Sequence, residues 1–482
     1  MLFNSFEFLI YLPIVFLLYW FVFKQLKAQN LFILIASYVF YGWWDWRFLL
    51  LIALTSFFSF FSGLLIERFE GKRIKQKYIS ASNIILNLLI LGIFKYYNFF
   101  SHSLATMLNS FGIKVDWVTL DILLPVGISF YTFQALSYSI DVYQKKIATC
   151  RDIVAFFAYI SFFPQLVAGP IERATNLLPQ ILNPRRFDYS KAVDGSRQIL
   201  WGFFKKVVVA DNCAVVVNSI WADYTNQSGF MLLLGAIFFT FQIYGDFSGY
   251  SDIAIGTAKL FGINLMRNFN FPYFSRDIAE FWRRWHISLT TWFRDYIYIP
   301  LGGSRYGKIK TFRNTIIIFL VSGLWHGANW TFILWGCYHA LLFLPLMFMG
   351  KNRKNISVVA KGHLLPSLKE FGQILLTFFL VVIGWIIFRS ENIIQAWEYI
   401  VRMFSISIFD IHSFNTIDKK LIFYILILVI VEWVQRNKQH ALQLPNYGIF
   451  KYRIFRMTLY YVLILFIFIF AGEQETFIYF QF

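Results

Sequence analysis

Two histidines of this chain lie in surroundings that suit chemistry better than packing, and His326 is the first. It falls inside an apolar run over residues 315–346. An ionisable ring at membrane depth is costly, so an intramembrane histidine indicates a reaction site or a proton pathway. Gly323 and Gly327 lie beside it, and small residues let another backbone or a ligand come close. His326 is therefore a candidate catalytic residue.

His286 is the second candidate, within the basic and aromatic segment 280–296. Apolar residues recur there at helical spacing, which predicts one amphipathic helix with Arg283, Arg284 and Arg294 off its apolar stripe. One interpretation is an interfacial anchor with Trp and Arg at the lipid headgroups. The other is a polar mouth at which the three arginines bind the phosphates of an anionic donor. Both interpretations stay open on the residues alone.

No metal site is predicted. Asp246 and Asp252 lie in the apolar run 230–261, but their spacing lacks the regular oxygen ligands of a calcium loop. We expect them to cap a broken helix or to line a water-filled cavity. His339 follows His326 by thirteen residues. On one helix, at about 100° per residue, the two rings would point to different faces and would not share a metal.

The composition excludes an ordinary soluble domain. Hydrophobic residues make up 58% of the 482 residues and charged residues only 15%, which indicates an all-α polytopic membrane protein. The net charge of +18 is explained by Lys and Arg in short loops next to anionic lipid, and no soluble nucleic-acid-binding module accompanies it. Membrane lipid is thus an expected partner and nucleic acid is not. The three cysteines lie far apart and predict neither disulfides nor a thiolate metal site.

Residues 1–23 predict a permanent first span rather than a signal peptide, because no basic residue precedes the apolar stretch. The basic loops at 24–27, 68–77 and 145–151 should face the cytoplasm, which puts the N-terminus outside. Residues 153–167 are short, contain Pro164 and are flanked by positive charge, so we expect a re-entrant or interfacial piece. Further apolar runs cover residues 31–44, 48–66, 79–99, 122–143, 230–261 (broken or doubled), 315–346 (two passes), 368–388, 420–434 and 457–471.

Several segments together resemble the membrane-bound O-acyltransferase (MBOAT) family, in the bacterial branch that acetylates exported polysaccharide such as alginate. The resemblance runs from the first residues to the last. The matching segments are LPVGISFYTFQ at 124–134, FFPQLVAGPI at 162–171, GFFKK at 202–206, GDFSGYSD at 245–252, the segment 281–296, IPLGG at 299–303, WHG at 325–327 and the ending FIYFQF at 477–482.

The resemblance implies one transmembrane domain over residues 1–482, with a motif-bearing core at about 120–346 and additional C-terminal spans at 368–472. It also implies a funnel of about 10–12 transmembrane helices, with re-entrant or interfacial helices and a tunnel. The histidine characteristic of the family corresponds to His326, and a second polar position of its reaction centre corresponds to His286. No cofactor is expected to stay bound, and acetyl-CoA is the expected donor.

Acyl transfer from a thioester to a hydroxyl needs a base and donors for the developing oxyanion. A neutral imidazole can take the hydroxyl proton, and burial keeps the ring neutral. We assign His326 as the base and His286 as an assistant or donor-binding group. Asn329, the indole of Trp325 or backbone N–H groups are candidate oxyanion donors. A covalent acyl-histidine intermediate stays open.

Three functions follow. The first is an inner-membrane O-acetyltransferase that acts with a periplasmic acyltransferase-like or esterase-like partner on alginate, another exopolysaccharide or peptidoglycan. The second is a D-alanyl transferase for teichoic acid fed by a carrier protein, which the spans beyond about residue 388 fit less well. The third is a transporter that uses His326 and Asp246 as a proton relay, although the sequence has no evident inverted repeat.

Overall fold

A computed structural model describes residues 1–115, 119–120, 125–445 and 447–478, with side chains omitted at 413, 415 and 416. Every regular element in these ranges is helical, which confirms the predicted all-α class. Residues 122–124 of the run 122–143, including Leu124 of the first matching segment, lie outside the described residues. The same is true of residues 479–482 in the matching segment at the end of the chain.

The first eleven α-helices precede residue 223. They are α1 (Phe6–Leu17), α2 (Leu26–Gly42), α3 (Phe48–Arg68), α4 (Arg73–Leu91), α5 (Tyr97–Ser110), α6 (Ile128–Tyr143), α7 (Ile153–Ser161), α8 (Phe163–Leu166), α9 (Ala174–Leu182), α10 (Tyr189–Phe203) and α11 (Asp211–Ala222). π-helical turns at Leu18–Val22, Gly92–Tyr96 and Phe204–Ala210 continue α1, α4 and α10.

Nine α-helices follow in the described part of the chain. They are α12 (Gly229–Leu260), α13 (Ile278–Arg284), α14 (Ile287–Phe293), α15 (Gly307–His326), α16 (Trp330–Phe348), α17 (Leu368–Arg389), α18 (Ile393–Met403), α19 (Lys420–Val434) and α20 (Arg453–Ile469). A π-helical turn at Arg294–Tyr298 continues α14, and short 3-10 turns lie at Pro272–Phe274, Ile406–Phe409, Ile411–Thr416 and Gly448–Lys451.

Within the described ranges, five helical segments are long and apolar enough to cross a membrane. This agrees with the predicted polytopic class, while the number of 10–12 spans stays a prediction. Those segments are Phe48–Arg68, Arg73–Ser110, Gly229–Leu260, Trp330–Phe348 and Leu368–Arg389.

Most apolar runs coincide with helices. The run 420–434 has the bounds of α19, and the run 315–346 is divided into α15 and α16 as predicted. The run 230–261 is different, because α12 is continuous over 32 residues and is neither broken nor doubled. The glycines that suggested a break allow close packing instead. A Cβ on Gly249 would lie 2.8 Å from the carbonyl oxygen of Gly202, so α10 can lie directly on α12.

The chain forms two compact units. The first contains residues 1–192 and 257–266, and the second contains residues 193–256 and 267–482. In the first unit α3, α4 and α6 pack on one another, and α7 packs on α2, α3 and α9. In the second unit α15 and α16 form a hairpin, α17 packs on α16, and the turn Phe204–Ala210 packs on α11, α19 and α20. The single-domain organisation stays a prediction.

Candidate active site

The hairpin of α15 and α16 positions His326. A Cβ on Gly323 would collide with the carbonyl of Phe332, and one on Gly336 with the carbonyl of Phe319, so the two helices pack backbone to backbone. Helix α15 ends at His326, and Gly327 continues in an extended conformation. His326 thus lies at the closed end of a tight helical hairpin, where its backbone has little freedom to move.

Aromatic rings surround His326, which is 3% exposed. The centroid of its imidazole lies 5.0 Å from Trp325, 5.0 Å from Trp335 and 5.3 Å from Phe388. An apolar environment of this kind excludes water from the ring. A neutral imidazole at this position can accept a proton from a substrate hydroxyl.

A sharp break in the chain positions His286. The sequence predicts one amphipathic helix over 280–296, and this prediction is wrong, because α13 ends at Arg284 and α14 begins at Ile287. His286 lies between them in the left-handed region, with φ 43° and ψ 54°. A residue other than glycine adopts that conformation only when its surroundings enforce it, and such strain is concentrated at functional sites.

His286 is buried, and one tryptophan connects it to the first histidine. The centroid of the His286 ring lies 5.6 Å from Trp325 and 4.7 Å from Phe247 of α12. Its Nδ1 lies 3.1 Å from Oδ1 of Asn268. Burial lowers the pKa of His286 to about 3, so the ring is neutral at pH 7. The structure therefore brings the two predicted histidines into contact with one shared partner, Trp325.

His339 is adjacent to this cluster but lies on another helix than His326. The comparison of faces on one helix does not apply to them, since the chain leaves α15 at His326 and re-enters a helix at Trp330, as expected for two passes. The His339 ring packs between Trp282 and Trp335, with both centroid distances at 5.0 Å. In the described part of the chain, no group of three or more His, Cys, Asp or Glu side chains could hold a metal ion.

The three candidate arginines have different environments. Arg284 is buried, and its guanidinium pairs with Glu280 at 2.8 Å. It therefore points into the protein and not to a solvent-accessible opening at which a donor could bind. Arg283 is exposed and donates to the carbonyl oxygens of Asn352 and Asn355. Arg294 pairs with the neighbouring Asp295 at 2.6 Å, and its side chain is 58% exposed. Arg283 and Arg294 are therefore more accessible to a soluble ligand than Arg284.

The two carboxylates in α12 form ion pairs, and the expectation that they cap a broken helix is wrong. Nζ of Lys205 lies 2.6 Å from Asp252, and Nζ of Lys206 lies 2.9 Å from Asp246. Lys206 also pairs with Asp211 at 2.8 Å. The segment GFFKK thus neutralises the segment GDFSGYSD, and its lysines anchor α12 beside His286.

Asn329 has a structural role at the start of α16. Its side-chain oxygen accepts from the N–H of Thr331 at 3.1 Å, and its amide nitrogen donates to the carbonyl of Glu391 at 2.8 Å. These bonds favour a helix cap over an oxyanion donor.

The sequence did not predict two residues that contact the candidate histidines, Asn268 beside His286 and Trp335 beside His326. Asn268 lies in an irregular stretch without periodicity, and only the spacing of aromatic residues around His326 pointed to Trp335.

Comparison with known proteins gives the family of the chain. The model of the membrane-bound O-acyltransferase family matches residues 38–383. A probable alginate O-acetylase of Pseudomonas aeruginosa is 42% identical, over 86% of this chain and 77% of the relative. A peptidoglycan O-acetyltransferase of Helicobacter pylori is 31% identical, over 100% of this chain and 98% of the relative.

A more distant relative is the teichoic acid D-alanyltransferase of Streptococcus thermophilus, which is 30% identical over 61% of this chain and 75% of the relative. The family model covers most of the chain, including both histidines, the lysine and aspartate motifs of the second unit and the hairpin of α15 and α16. The chain belongs to the membrane-bound O-acyltransferase family.

Proposed function

We propose that this protein moves acetyl groups from acetyl-CoA at the cytoplasmic face to hydroxyls of an exported cell-envelope polysaccharide. His326 is the general base, and His286 assists it or holds the donor. The observation that carries the proposal is the contact of one indole, Trp325, with both imidazole rings at 5.0 and 5.6 Å. Two buried imidazoles in one aromatic cluster can divide proton transfer and stabilisation of charge between them.

Each step of the reaction has a group to perform it. Neutral His326 accepts the proton of the attacking hydroxyl while the oxygen forms a bond to the acetyl carbonyl carbon. The tetrahedral intermediate then collapses, the thiolate of the donor leaves, and the proton returns to it from the imidazolium. The buried aromatic surroundings of His326 exclude water, which would otherwise hydrolyse the thioester.

The donor phosphates have candidate partners in Arg283 and Arg294, whose exposure suits contact with a soluble molecule. Arg284 belonged to the same prediction, but its pairing with Glu280 favours a structural role. Charge-assisted contacts to phosphate are among the stronger hydrogen bonds of proteins. We therefore assign donor binding to Arg283 and Arg294.

The class of acceptor is indicated by the relatives of this chain. The probable alginate O-acetylases and the peptidoglycan O-acetyltransferase both support a glycan hydroxyl as acceptor. Because such polymers lie outside the inner membrane, we propose a multi-pass inner-membrane location with the N-terminus outside. A periplasmic acyltransferase-like or esterase-like partner would then complete the transfer.

The second candidate function is D-alanyl transfer to teichoic acid. It is supported by the similarity to teichoic acid D-alanyltransferases, which extends over 61% and 76% of this chain. The O-acetyltransferase relatives match 86% to 100% of it, and we rank acetyl transfer first for that reason. Gene neighbours separate the two: polysaccharide polymerase genes favour acetyl transfer, and carrier-protein and ligase genes favour D-alanyl transfer.

Membrane vesicles that contain the protein, supplied with labelled acetyl-CoA and envelope polymer, test the proposal. We expect label in ester linkage on the polymer with the wild-type protein and none with His326→Ala at equal protein amount. A labelled D-alanyl carrier protein, offered in parallel, tests the second function. Transfer from the carrier protein without transfer from acetyl-CoA would overturn the acetyl proposal.

A further inference from the structure

Asn268 lies against His286, and no role has been assigned to it so far. Its Oδ1 is 3.1 Å from Nδ1 of His286, and the residue is fully buried. It precedes α13 by ten residues in an irregular segment. A buried amide that contacts a candidate catalytic ring either fills space or determines how that ring is presented.

The orientation of the Asn268 amide follows from its neighbours. The backbone N–H of Ser288 points to Oδ1 at 3.4 Å, and the Ser288 hydroxyl donates to the same atom at 2.9 Å. A backbone N–H can only donate, so this atom is the amide oxygen rather than the nitrogen. On the other side, Nδ2 of Asn268 donates to the hydroxyl oxygen of Ser251 in α12 at 3.1 Å.

This orientation determines the tautomer of His286. An amide oxygen accepts only, so the proton of the neutral imidazole must be on Nδ1 and the lone pair on Nε2. The backbone is held by the same residue, because the carbonyl of Asn268 accepts the N–H of Ile287 at 2.9 Å. Asn268 therefore binds both the ring of His286 and the chain that follows its left-handed backbone.

We propose that Asn268 is the positioning residue of His286, which keeps the imidazole as its Nδ1–H tautomer so that Nε2 carries the lone pair and can accept a hydrogen bond from a reactant while His326 acts as the base. The inference rests on the proposed role of His286 in the reaction. Ser251 completes the arrangement by holding the amide from α12. Without Asn268 the hydrogen bond that selects the Nδ1–H tautomer is lost.

Asn268→Leu is the main test, because leucine has a similar size but no acceptor. Partners that orient a functional histidine typically change activity by about 10–100-fold when removed. We expect kcat per folded molecule to fall by that factor, with the KM for acetyl-CoA within about twofold of wild type, since the donor is bound before the ring acts. The amount of folded protein is measured on the same samples by gel filtration of a fluorescent fusion.

Two further variants separate positioning from packing. Asn268→Asp keeps an oxygen acceptor for Nδ1–H and for Ser288, and the Ser251 hydroxyl can rotate to donate to it, so most of the lost kcat should return. Asn314→Leu is the matched control. Asn314 is also fully buried, and its amide donates to the carbonyl oxygens of Leu301 and Gly303. It should lower the amount of folded protein and leave kcat per folded molecule unchanged.

Two outcomes would overturn the positioning role of Asn268. Equal losses of kcat in Asn268→Leu and Asn268→Asp would show that the acceptor is irrelevant. Normal kcat in Asn268→Leu with less folded protein would reduce Asn268 to a packing residue. His286→Ala, assayed in parallel, identifies the failing step: if it stays active, the proposed role of His286 is wrong, and if only Asn268→Leu stays active, the positioning role is wrong.

Discussion

Nζ of Lys206 lies 2.9 Å from Oδ1 of Asp246, with both side chains at least 94% buried. The same ammonium group pairs with Asp211 at 2.8 Å and donates to the carbonyl of Glu475 at 3.2 Å. One lysine thus pairs with two buried carboxylates and connects α12 to the segment after α20. Asp246 accepts in addition from the N–H of Ile478 at 2.7 Å.

Removal of this lysine should destabilise the protein strongly. Lys206→Met leaves Asp211 and Asp246 buried without their cation, which typically costs about 3–5 kcal/mol. We expect a lower midpoint of thermal unfolding in detergent and less folded protein. Lys206→Met combined with Asp246→Asn should recover part of the loss, and the exposed Lys191→Met should have no effect. A normal midpoint for Lys206→Met would show that these ion pairs contribute nothing.

His326→Ala should abolish acetyl transfer and leave insertion and folding intact, because it removes the imidazole that takes the hydroxyl proton while the aromatic rings around it stay in place. Ester-linked acetyl on the polymer is the measurement. His339→Leu is the control, since His339 shares Trp335 as a neighbour and should keep most activity when its volume is conserved. Wild-type acetylation in His326→Ala would contradict the catalytic assignment.

Trp325 should matter for rate more than for folding. Trp325→Ala removes a ring that contacts both histidines, and a misplacement of about 1 Å at a reacting group can cost about a hundredfold in rate. We expect a loss of kcat of that order, with folded protein at half of wild type or more. Trp397→Ala, an exposed tryptophan of α18, is the matched control and should be silent. Parallel losses of folding and activity would assign Trp325 to packing alone.

The arginines should separate into two classes. Arg283→Gln and Arg294→Gln should raise the KM for the donor with little change in kcat, because a contact worth about 1.5–3 kcal/mol to a distant phosphate is the same in ground and transition states. Arg284→Gln should instead lower the amount of folded protein, since it leaves the buried Glu280 with one cation fewer. A normal donor KM in both Arg283→Gln and Arg294→Gln would remove this region from the donor site.

The positive-inside rule predicts the sidedness of the helical segment Arg73–Ser110. Lys72→Cys should be protected from a membrane-impermeant thiol reagent in intact cells, and Lys114→Cys should be labelled. Both positions are exposed, whereas the native Cys150 and Cys213 are buried. Both variants are made with Cys337 replaced by Ala, so that native cysteines contribute little labelling. Labelling of Lys72→Cys from outside would reverse the proposed topology.

Sequence patterns predicted the elements better than their junctions. Long apolar runs give α17 and α19 within a residue, because hydropathy and helix length are local properties. The break at His286 could not be foreseen, since a positive φ at histidine depends on contacts with Asn268 and Phe247. Helical periodicity continues across that break, and it therefore predicted one helix where the structure has two.

The sequence also did not predict which charged residues form ion pairs. Lys205 and Lys206 lie forty or more residues from their partners Asp252 and Asp246 in the sequence, and nothing local indicates that they pair. The two carboxylates therefore suggested a broken helix or a cavity. His326 could be recognised as a candidate because the cost of an ionisable ring in an apolar run is local to the sequence.

The unbroken helix α12 is longer than the hydrocarbon core that it must cross. Its 32 residues span about 48 Å at about 1.5 Å per residue, against a core of about 30 Å. Even at a tilt of about 40°, the upper end of the observed range, it would extend about 37 Å along the bilayer normal. Because most of α12 is buried inside the protein, we expect bilayer thickness to act on this helix, which carries Phe247, through the helices packed around it. Enzyme activity should therefore depend on the chain length of the surrounding lipid.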